Sequence, residues 1–400
     1  MNVLTDEQMK PSKVVLVECM KFLASFCSET KSCRTVISES EYCHACITFT
    51  SDALSQLSSV LCDEISDDEK IASHKELNDD CHSNSLSCTL EIEGISFLTS
   101  LLHIRISREM MVSNQKLMRS IISLSASKIL SLQYWAVNYL ADFARYATNE
   151  CVEGSLSINY LASVFLSLII TPSNALLRSS TISHKKFIRF DLNSDRDSFN
   201  MHLILASICS GIDCMLHHIP EKALSSITTA LLPHLNKILD DKNKISSKSK
   251  TSRLFQNESL YDGLLAFNIS SMFIRFLGSK ENINILIEVD VVSVIIKLIL
   301  INQQSIIVKQ NVKEEEIFFS NINYWKCAFT QCLQCFSLIV IQPFPLHDEL
   351  NTWEELIFNL EGKTIETSSN DFSLILKKVV SDNTDVTQSV LARQIINRMF

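Results

Sequence analysis

Residues 264–299 read LLAFNISSMFIRFLGSKENINILIEVDVVSVIIKLI, and this stretch carries the clearest fold signal in the 400-residue chain. Apolar residues recur in it at spacings of three and four, which places them on one face of a helix. In its second half they are Ile283, Leu286, Ile287, Val291, Val292, Ile295, Leu298 and Ile299. The stretch therefore predicts successive helices over 256–277, 280–288 and 291–303.

The same spacing continues in both directions along the chain. It predicts further helices over 12–28, 45–61, 92–111, 114–125, 128–147, 156–170, 199–217, 220–240, 321–341, 349–360, 371–381 and 384–398. The segments between them are polar, and no segment has the alternation of a strand. The sequence therefore predicts an all-α protein built from helices of about 10–20 residues.

Glycine is scarce, with six in the whole chain and no two close together. Average usage of about 7% would give roughly 28. Phosphate-binding loops, nucleophile elbows and tight hairpins need clustered glycines, because glycine adopts positive φ without strain. The sequence also has no GxSxG, Walker, dinucleotide-binding or kinase motif. We therefore predict that the protein is not an enzyme and needs no cofactor or metal.

The stretch 264–299 resembles an armadillo repeat. Its apolar positions match those of the family, and Asn268 stands where many armadillo repeats place an asparagine that lines the binding groove. Two positions depart from the family pattern, since Asp290 replaces the usual glycine and Ser293 the usual proline. Aspartate tolerates left-handed backbone better than most residues. The resemblance implies repeats of the armadillo or HEAT kind.

A second segment, LQYWAVNYLADFARYATN at 132–149, resembles the third helix of an armadillo repeat. Asn138 and Asp142 would occupy the positions of the tryptophan and asparagine that nuclear-import adaptors of this class use. The resemblance implies a right-handed superhelical α-solenoid of about seven or eight units. We expect one such domain over residues 1–400, with flexible insertions at 63–90, 179–198 and 241–253.

In armadillo proteins the concave face of the solenoid holds extended peptides or partner domains. The resemblance thus implies a non-enzymatic scaffold or adaptor, such as a cochaperone, an assembly factor or a regulatory factor. Asn268 is the best candidate partner-binding residue, and Asn138, Asp142 and Trp135 are further ones. Two alternatives stay open, namely an enzyme or zinc protein using the cysteine-rich N-terminal region, and a structural subunit of a larger helical assembly.

The metal alternative depends on Cys43-His44-Ala45-Cys46, because a CxxC pair can supply half of a tetrahedral zinc site. The residues that could complete it are Cys62, Cys81, His82 and Cys88. A second pair, Cys332 and Cys335, lies inside an apolar helical segment and is predicted to be core. Most of the 14 cysteines lie in apolar runs, which indicates buried thiols in a reducing compartment.

The net charge of −9 comes almost entirely from residues 62–94, which carry ten acidic residues against two lysines. The remainder is nearly neutral, so we expect no nucleic-acid partner. The apolar runs are too short or too charged to span a bilayer, and the first residues do not form a secretory signal. We expect other proteins as partners, no membrane association, and a cytoplasmic or nuclear location.

Overall fold

The computed structural model describes residues 13–67, 81–127, 129–147, 158–170, 194–220, 223–231, 233, 253–278, 291–292, 295–296, 298–299, 319–341, 372–382 and 385–399. Within these ranges the protein is all-α, and no residue in them belongs to a strand. The all-α prediction is therefore confirmed. No helix in the described ranges combines the length and apolar character that a bilayer crossing requires.

The helices of the described ranges are numbered here in chain order. They are α1 (Lys13–Glu29), α2 (Lys31–Glu39), α3 (Glu41–Asp67), α4 (Cys81–Leu101), α5 (Arg105–Ser113), α6 (Gln115–Leu124), α7 (Leu130–Ala147), α8 (Ile158–Ile170), α9 (Ser194–Cys214), α10 (Arg253–Phe276), α11 (Phe319–Val340), α12 (Phe372–Asp382) and α13 (Val386–Met399). A short 3-10 turn, Leu216–His218, follows α9. Residues 223–231 and the described positions between 291 and 299 are also helical.

The chain forms two compact units. Unit 1 comprises Met1–Leu168 and Leu192–His218, and unit 2 comprises Ile169–Asp191 and Ile219–Phe400. In unit 1, α1 packs against α4, α4 against α7, and α7 against α9, while α2 packs against α5 and α3 against α6. In unit 2, α10 packs against α11, and α13 packs against both α11 and α12. The expected single domain over 1–400 stays a prediction.

The four helices α1, α4, α7 and α9 of unit 1 lie side by side and parallel; we call them the parallel stack. Along α1 and α4, Lys21 is close to Glu93, and Cys27 is close to Ser100. The C-terminal ends of α4 and α7 meet where His103 bonds Tyr146. Between α7 and α9, Asn138 contacts Ser207, and Arg145 contacts Ser210.

The long helices of unit 2 are parallel in the same way. Gly263 lies against Trp325 near the middle of α10, and Ser270, two turns later, donates to Gln331 Oε1 at 2.6 Å. On the other side of α11, Lys326 pairs with Asp385 at 3.1 Å. One turn further along both helices, Gln388 donates to Thr330 at 2.9 Å. Helices α10, α11 and α13 therefore run in one direction.

Large aromatic side chains fill the core of each unit. In unit 1 the ring of Tyr139 stacks on Phe143 at 6.2 Å, and its hydroxyl points at the sulfur of Met111 at 3.2 Å. In unit 2, Phe273 and Phe276 of α10 and Phe329 and Phe336 of α11 are buried. Burying each such side chain contributes roughly 1.5–3 kcal/mol. The predicted core positions of Cys332 and Cys335 are confirmed, since both are fully buried.

Two of the rare glycines mark close contacts between helices. A Cβ on Gly211 of α9 would lie 2.5 Å from the ring of Phe165 on α8. A Cβ on Gly263 of α10 would lie 2.8 Å from Nε1 of Trp325 on α11. Both distances are shorter than van der Waals contact, so only glycine lets these helices approach this closely around a large aromatic side chain.

Several helices differ in extent from the sequence-based prediction. The predicted helix 92–111 is two helices, because the chain turns after Leu101 and Arg108 Nη1 donates to the carbonyl of Leu102 at 2.6 Å. Helix α2 lies outside the predicted helix ranges, and it begins where Thr30 accepts a hydrogen bond from the N–H of Cys33 at 3.2 Å. Such a hydroxyl cap is a strong helix start signal.

The expected insertions fall largely outside the described residues. Helices occupy the described edges of two of them, since α3 continues to Asp67, α4 begins at Cys81, and α9 begins at Ser194. Only Arg253, the first residue of α10, belongs to the described part of the third. The predicted helices 280–288 and 349–360 also lie outside the described residues.

Candidate functional site

A groove of about 310 Å³ crosses three helices of the parallel stack, and we call it the polar groove. It contains two of the four residues that the sequence indicated as partner-binding, Trp135 and Asp142, both on α7. The remaining lining residues come from α1, α2, α4 and the turn after α4; they are Ala24, Arg34, Ser96, Thr99, Ser100 and His103. The groove thus combines hydroxyl, guanidinium, imidazole, indole and carboxylate groups.

Helix α4 supplies the hydroxyls of the groove. Ser96, Thr99 and Ser100 follow the spacing i, i+3, i+4, so they lie on one face of the helix. Thr99 Oγ1 donates to the carbonyl of Ile95 at 2.8 Å, and Ser100 Oγ donates to that of Phe97 at 2.6 Å. These bonds use the hydroxyl protons within the helix, so the hydroxyl oxygens can act only as acceptors, and Ser100 also lies close to the Cys27 thiol.

Arg34 of α2 is half-buried at one end of the groove. Its Nη1 donates to the carbonyl of Cys27 at 3.3 Å, a group in the last turn of α1 that has no partner within the helix. Its Nε is buried without a hydrogen-bond partner. Over the described ranges, no carboxylate lies within ion-pair distance of the Arg34 guanidinium. The guanidinium is therefore only partly satisfied by the protein.

His103 follows α4 and is fixed by aromatic contacts. Its Nδ1 lies 2.7 Å from the hydroxyl of Tyr146, and the guanidinium of Arg108 lies 5.4 Å from the centre of the same tyrosine ring. Burial and then the charge of Arg34 lower the pKa of His103, and the opposing effect of Asp142 is smaller. At neutral pH the imidazole is therefore mainly uncharged.

Asp142 supplies the carboxylate of the groove. It pairs with Arg145 one turn later, with 3.4 Å between Arg145 Nη1 and Asp142 Oδ1. Burial raises the pKa of Asp142, and the charge of Arg145 and then the neighbouring His103, where protonated, act in the opposite direction. Arg145 also donates to Ser210 of α9 at 3.2 Å, so this ion pair is anchored to the next helix of the parallel stack.

The other two predicted binding residues lie elsewhere. Asn138 is one turn before Asp142 on α7, but it faces α9, where its Oδ1 accepts a hydrogen bond from Ser207 at 3.4 Å. Asn268 is half-buried on α10 of unit 2. The structure therefore brings Trp135 and Asp142 together and does not bring Asn138 into their groove. The residues that sequence reasoning missed are Arg34, His103 and the α4 hydroxyls.

The cysteine pair that suggested zinc is buried in unit 1. Cys43 and Cys46 have at most 1% of their surface exposed. Burial raises the pKa of both thiols, that of Cys46 to about 11, which disfavours the thiolate that zinc requires. Across the described ranges, no group of three or more His, Cys, Asp or Glu residues could hold a metal ion. The side chains of Cys62, Cys81, His82 and Cys88 lie outside the described residues.

A second groove, of about 550 Å³, lies between α3 and α6. Its Lys116 already pairs with Asp52 at 2.7 Å, and both side chains are more than half exposed. Exposed ion pairs of this kind contribute about 0–1 kcal/mol and leave the surface well hydrated. The polar groove, which is partly buried and holds an incompletely satisfied arginine, is therefore the stronger candidate site.

Comparisons with known proteins do not show which family the chain belongs to. No family model matches the sequence, and no curated protein matches it. Among solved structures, the crystal structure of an engineered protein is 12% identical, with a TM-score of 0.33 over 100% of this chain and 97% of that one. A likeness this low carries no argument about fold or function.

Proposed function

We propose that the protein is a non-enzymatic scaffold that holds a peptide segment of a partner protein in the polar groove of the parallel stack. The observation that supports this most directly is the polar groove, which spans α1, α4 and α7 and contains Trp135 and Asp142. An indole face beside hydrogen-bonding side chains suits a polypeptide, since aromatic residues dominate binding energy at protein interfaces. The partner is another protein, and neither nucleic acid nor a membrane is expected.

Helix packing in unit 1 supports the armadillo-like solenoid as the underlying fold. Each of α1 and α4 packs in parallel on the helix three positions later, and α2 with α5 and α3 with α6 repeat the same step. Two neighbouring helices can run parallel only if the chain between them returns to the end where the first one began. In a three-helix unit the other two helices make this return. We therefore propose that α2–α4 and α5–α7 are successive repeats of a right-handed α-solenoid, stacked through equivalent helices, so that α7 is a third repeat helix.

The chemistry of the groove favours binding over catalysis. A general base must lie within hydrogen-bond reach of the nucleophile that it activates. The imidazole of the groove is instead bonded to Tyr146, and its carboxylate is paired with Arg145. Both groups are engaged in fixing the surface. This arrangement supports a rigid recognition site, and we expect it to act in the cytoplasm or nucleus, where buried free thiols stay reduced.

The test is capture of the partner by the tagged full-length chain from its native cells at physiological salt, with mass spectrometry of the co-purifying proteins. We expect one stoichiometric partner that is lost at least tenfold on Trp135→Ala. The control is Tyr160→Ala, which removes an exposed aromatic side chain from α8. Thermal unfolding of each variant shows whether the fold is intact.

Two results would overturn the proposal. The first is a partner that binds wild type and the folded Trp135→Ala variant equally. The second is a chain that captures no partner and instead carries stoichiometric zinc, as the enzyme or metal-protein alternative requires. Assembly through large apolar surfaces with no dependence on Trp135 would favour the structural-subunit alternative.

A further inference from the structure

We propose that the Arg34 end of the polar groove binds one carboxylate of the partner peptide, supplied by an acidic side chain or by the peptide's C-terminus. This inference rests on the proposed scaffold function and adds the chemical class of the bound residue. Arginine is suited to this role because its planar guanidinium can donate two parallel hydrogen bonds to a carboxylate.

The first argument is the incomplete satisfaction of Arg34. The side chain is half-buried, its Nε is buried without a partner, and Nη1 makes one bond, to the carbonyl of Cys27. A partly desolvated charge without a counter-charge is costly, and an incoming carboxylate removes that cost. The bond to Cys27 also fixes the guanidinium, so less side-chain entropy is lost when the ligand binds.

The second argument is the charge around the groove. The charged groups that act on His103 are the guanidiniums of Arg34, Arg108 and Arg145 and one carboxylate, that of Asp142, which Arg145 already pairs. This end of the groove is therefore cationic in a chain whose net charge is −9. Electrostatic complementarity selects an anionic group at such a site.

The third argument limits the number of acids. About two turns earlier along α1 and α4, the carboxylates of Glu18 and Glu93 are close enough to interact, and Lys21 lies near both. A second carboxylate placed toward these residues would be repelled. The surface is therefore suited to a peptide with one acidic group at the Arg34 end, and it disfavours a long acidic run.

The experiment uses the full-length chain labelled with 5-fluorotryptophan and followed by 19F NMR. The chain has three tryptophans, and Trp135→Phe assigns the groove resonance. The probes are acetyl-Ala-Ala-Glu-Ala-Ala-amide, the same peptide with Gln in place of Glu, and acetyl-pentaalanine with a free C-terminus. The first and third probes distinguish a side-chain carboxylate from a terminal one.

We expect a saturable shift of the Trp135 resonance with at least one of the two carboxylate peptides, and binding at least tenfold weaker for the Gln peptide. Arg34→Gln should weaken binding of the carboxylate peptide at least tenfold, because the charge-assisted hydrogen bonds to the guanidinium are lost. Arg34→Lys should give an intermediate result, because it keeps the charge without the planar fork. The matched control is Arg119→Gln, which removes an exposed arginine from the second groove and should change nothing.

Equal binding of the Glu, Gln and free-carboxyl peptides would overturn the inference, and so would wild-type affinity in Arg34→Gln. If Arg34→Gln fails to fold, Arg34→Lys and the Glu/Gln pair still decide. The two proposals fail separately. Partner capture that needs Trp135 but not Arg34 would retain the scaffold and reject the carboxylate site, whereas Arg34-dependent peptide shifts without any captured partner would do the reverse.

Discussion

At the scale of single residues, Gly263 offers a test of helix packing. Replacing glycine by alanine inside a helix normally raises the free energy of unfolding by about 1 kcal/mol. Here the new Cβ would lie 2.8 Å from Trp325, which is 4% exposed and has little room to move. We expect Gly263→Ala to lower the free energy of unfolding by about 1–3 kcal/mol, the cost of overpacking, as measured by urea denaturation.

The control for Gly263→Ala is a double-mutant cycle with Trp325→Phe. A smaller ring leaves room for the Cβ, so the double variant should be less destabilised than the sum of the single variants. Additive effects would show that the contact between Gly263 and Trp325 does not limit the approach of α10 and α11.

The three cysteines of α11 provide a second test at this scale. Cys327 is exposed, whereas Cys332 and Cys335 are buried, and burial raises the pKa of Cys332 to about 12. Because the thiolate is the reactive form, iodoacetamide at pH 8 should label Cys327 and spare the other two until the chain is unfolded in urea. Mass spectrometry of the peptides measures each site, and equal labelling of all three in the native protein would contradict the burial.

The residues of the polar groove show how far sequence alone could go. Trp135 and Asp142 became candidates through the resemblance of 132–149 to a repeat helix, and both line the polar groove. Their role in partner binding stays a prediction. Arg34 and His103 were not predicted, because they come from α2 and from the turn after α4. Local sequence does not show which helices become neighbours. Asn138 contacts Ser207 of α9, and the local sequence could not predict this, because it does not show that α9 packs against α7.

At the scale of one helix, Asp385 begins α13. Its Oδ1 accepts hydrogen bonds from the N–H groups of Thr387 and Gln388, at 3.1 and 3.3 Å, and its Oδ2 pairs with Lys326 of α11. Burial would raise the pKa of Asp385, but the bonds to Lys326 and to the two N–H groups outweigh it and hold the pKa below its usual value. The carboxylate therefore stabilises both the helix start and the contact with α11.

We expect Asp385→Ala to cost about 1 kcal/mol at pH 7, the usual effect of losing an N-cap. Since the pKa is lower in the folded state, this stabilisation is present above the unfolded pKa of about 3.9 and is lost as the pH falls through the folded value. The difference between wild type and variant should thus shrink in acid, measured by urea unfolding at pH 7 and pH 2.5. A difference independent of pH would show that the charge of Asp385 contributes nothing.

Two short helices, α2 and α5, illustrate what hydropathy misses at the element scale. Each has nine residues and few buried positions. Their contact includes a buried pair of hydroxyls, with Ser107 Oγ donating to Ser38 Oγ at 2.7 Å. A helix this short and this polar offers few apolar positions, so its start must be recognised from a cap such as Thr30. The long helices were predictable because their buried faces are apolar.

At the scale of the whole molecule, the packing of each unit through neighbouring helices predicts how a local weakness spreads. Ile95 of α4 is fully buried, and Ile95→Val should cost about 0.5–1.5 kcal/mol. If stability passes between neighbouring helices, hydrogen exchange should accelerate in α4, α1 and α7 more than in α9, which does not pack directly on α4. The matched control is Ile395→Val in α13, which should act on α11 and α12 of its own unit. Uniform acceleration throughout unit 1 would contradict this prediction.

The fold class was predictable because helical spacing and scarce glycine are global properties of the sequence. The order in which helices pack was not, because it depends on contacts between segments far apart in the chain. Contacts such as His103 with Tyr146 join residues 43 positions apart. The parallel stack therefore emerges only from the structure, although the resemblance of 132–149 to a third repeat helix was a partial indication of it.

Because Ser96, Thr99 and Ser100 share one face of α4, the polar groove depends on the angle at which that face is turned about the helix axis. One residue inserted into α4 after Ile95 would rotate everything beyond it by about 100°, carrying these hydroxyls away from Arg34 and Trp135. Seven inserted residues, close to two full turns, would nearly restore the angle while shifting the face along the axis. Insertions or deletions between Asp67 and Cys81 lie before α4, so they do not rotate one part of that helix relative to another. Related chains that share the groove should therefore vary freely in length before α4 and hardly at all within it.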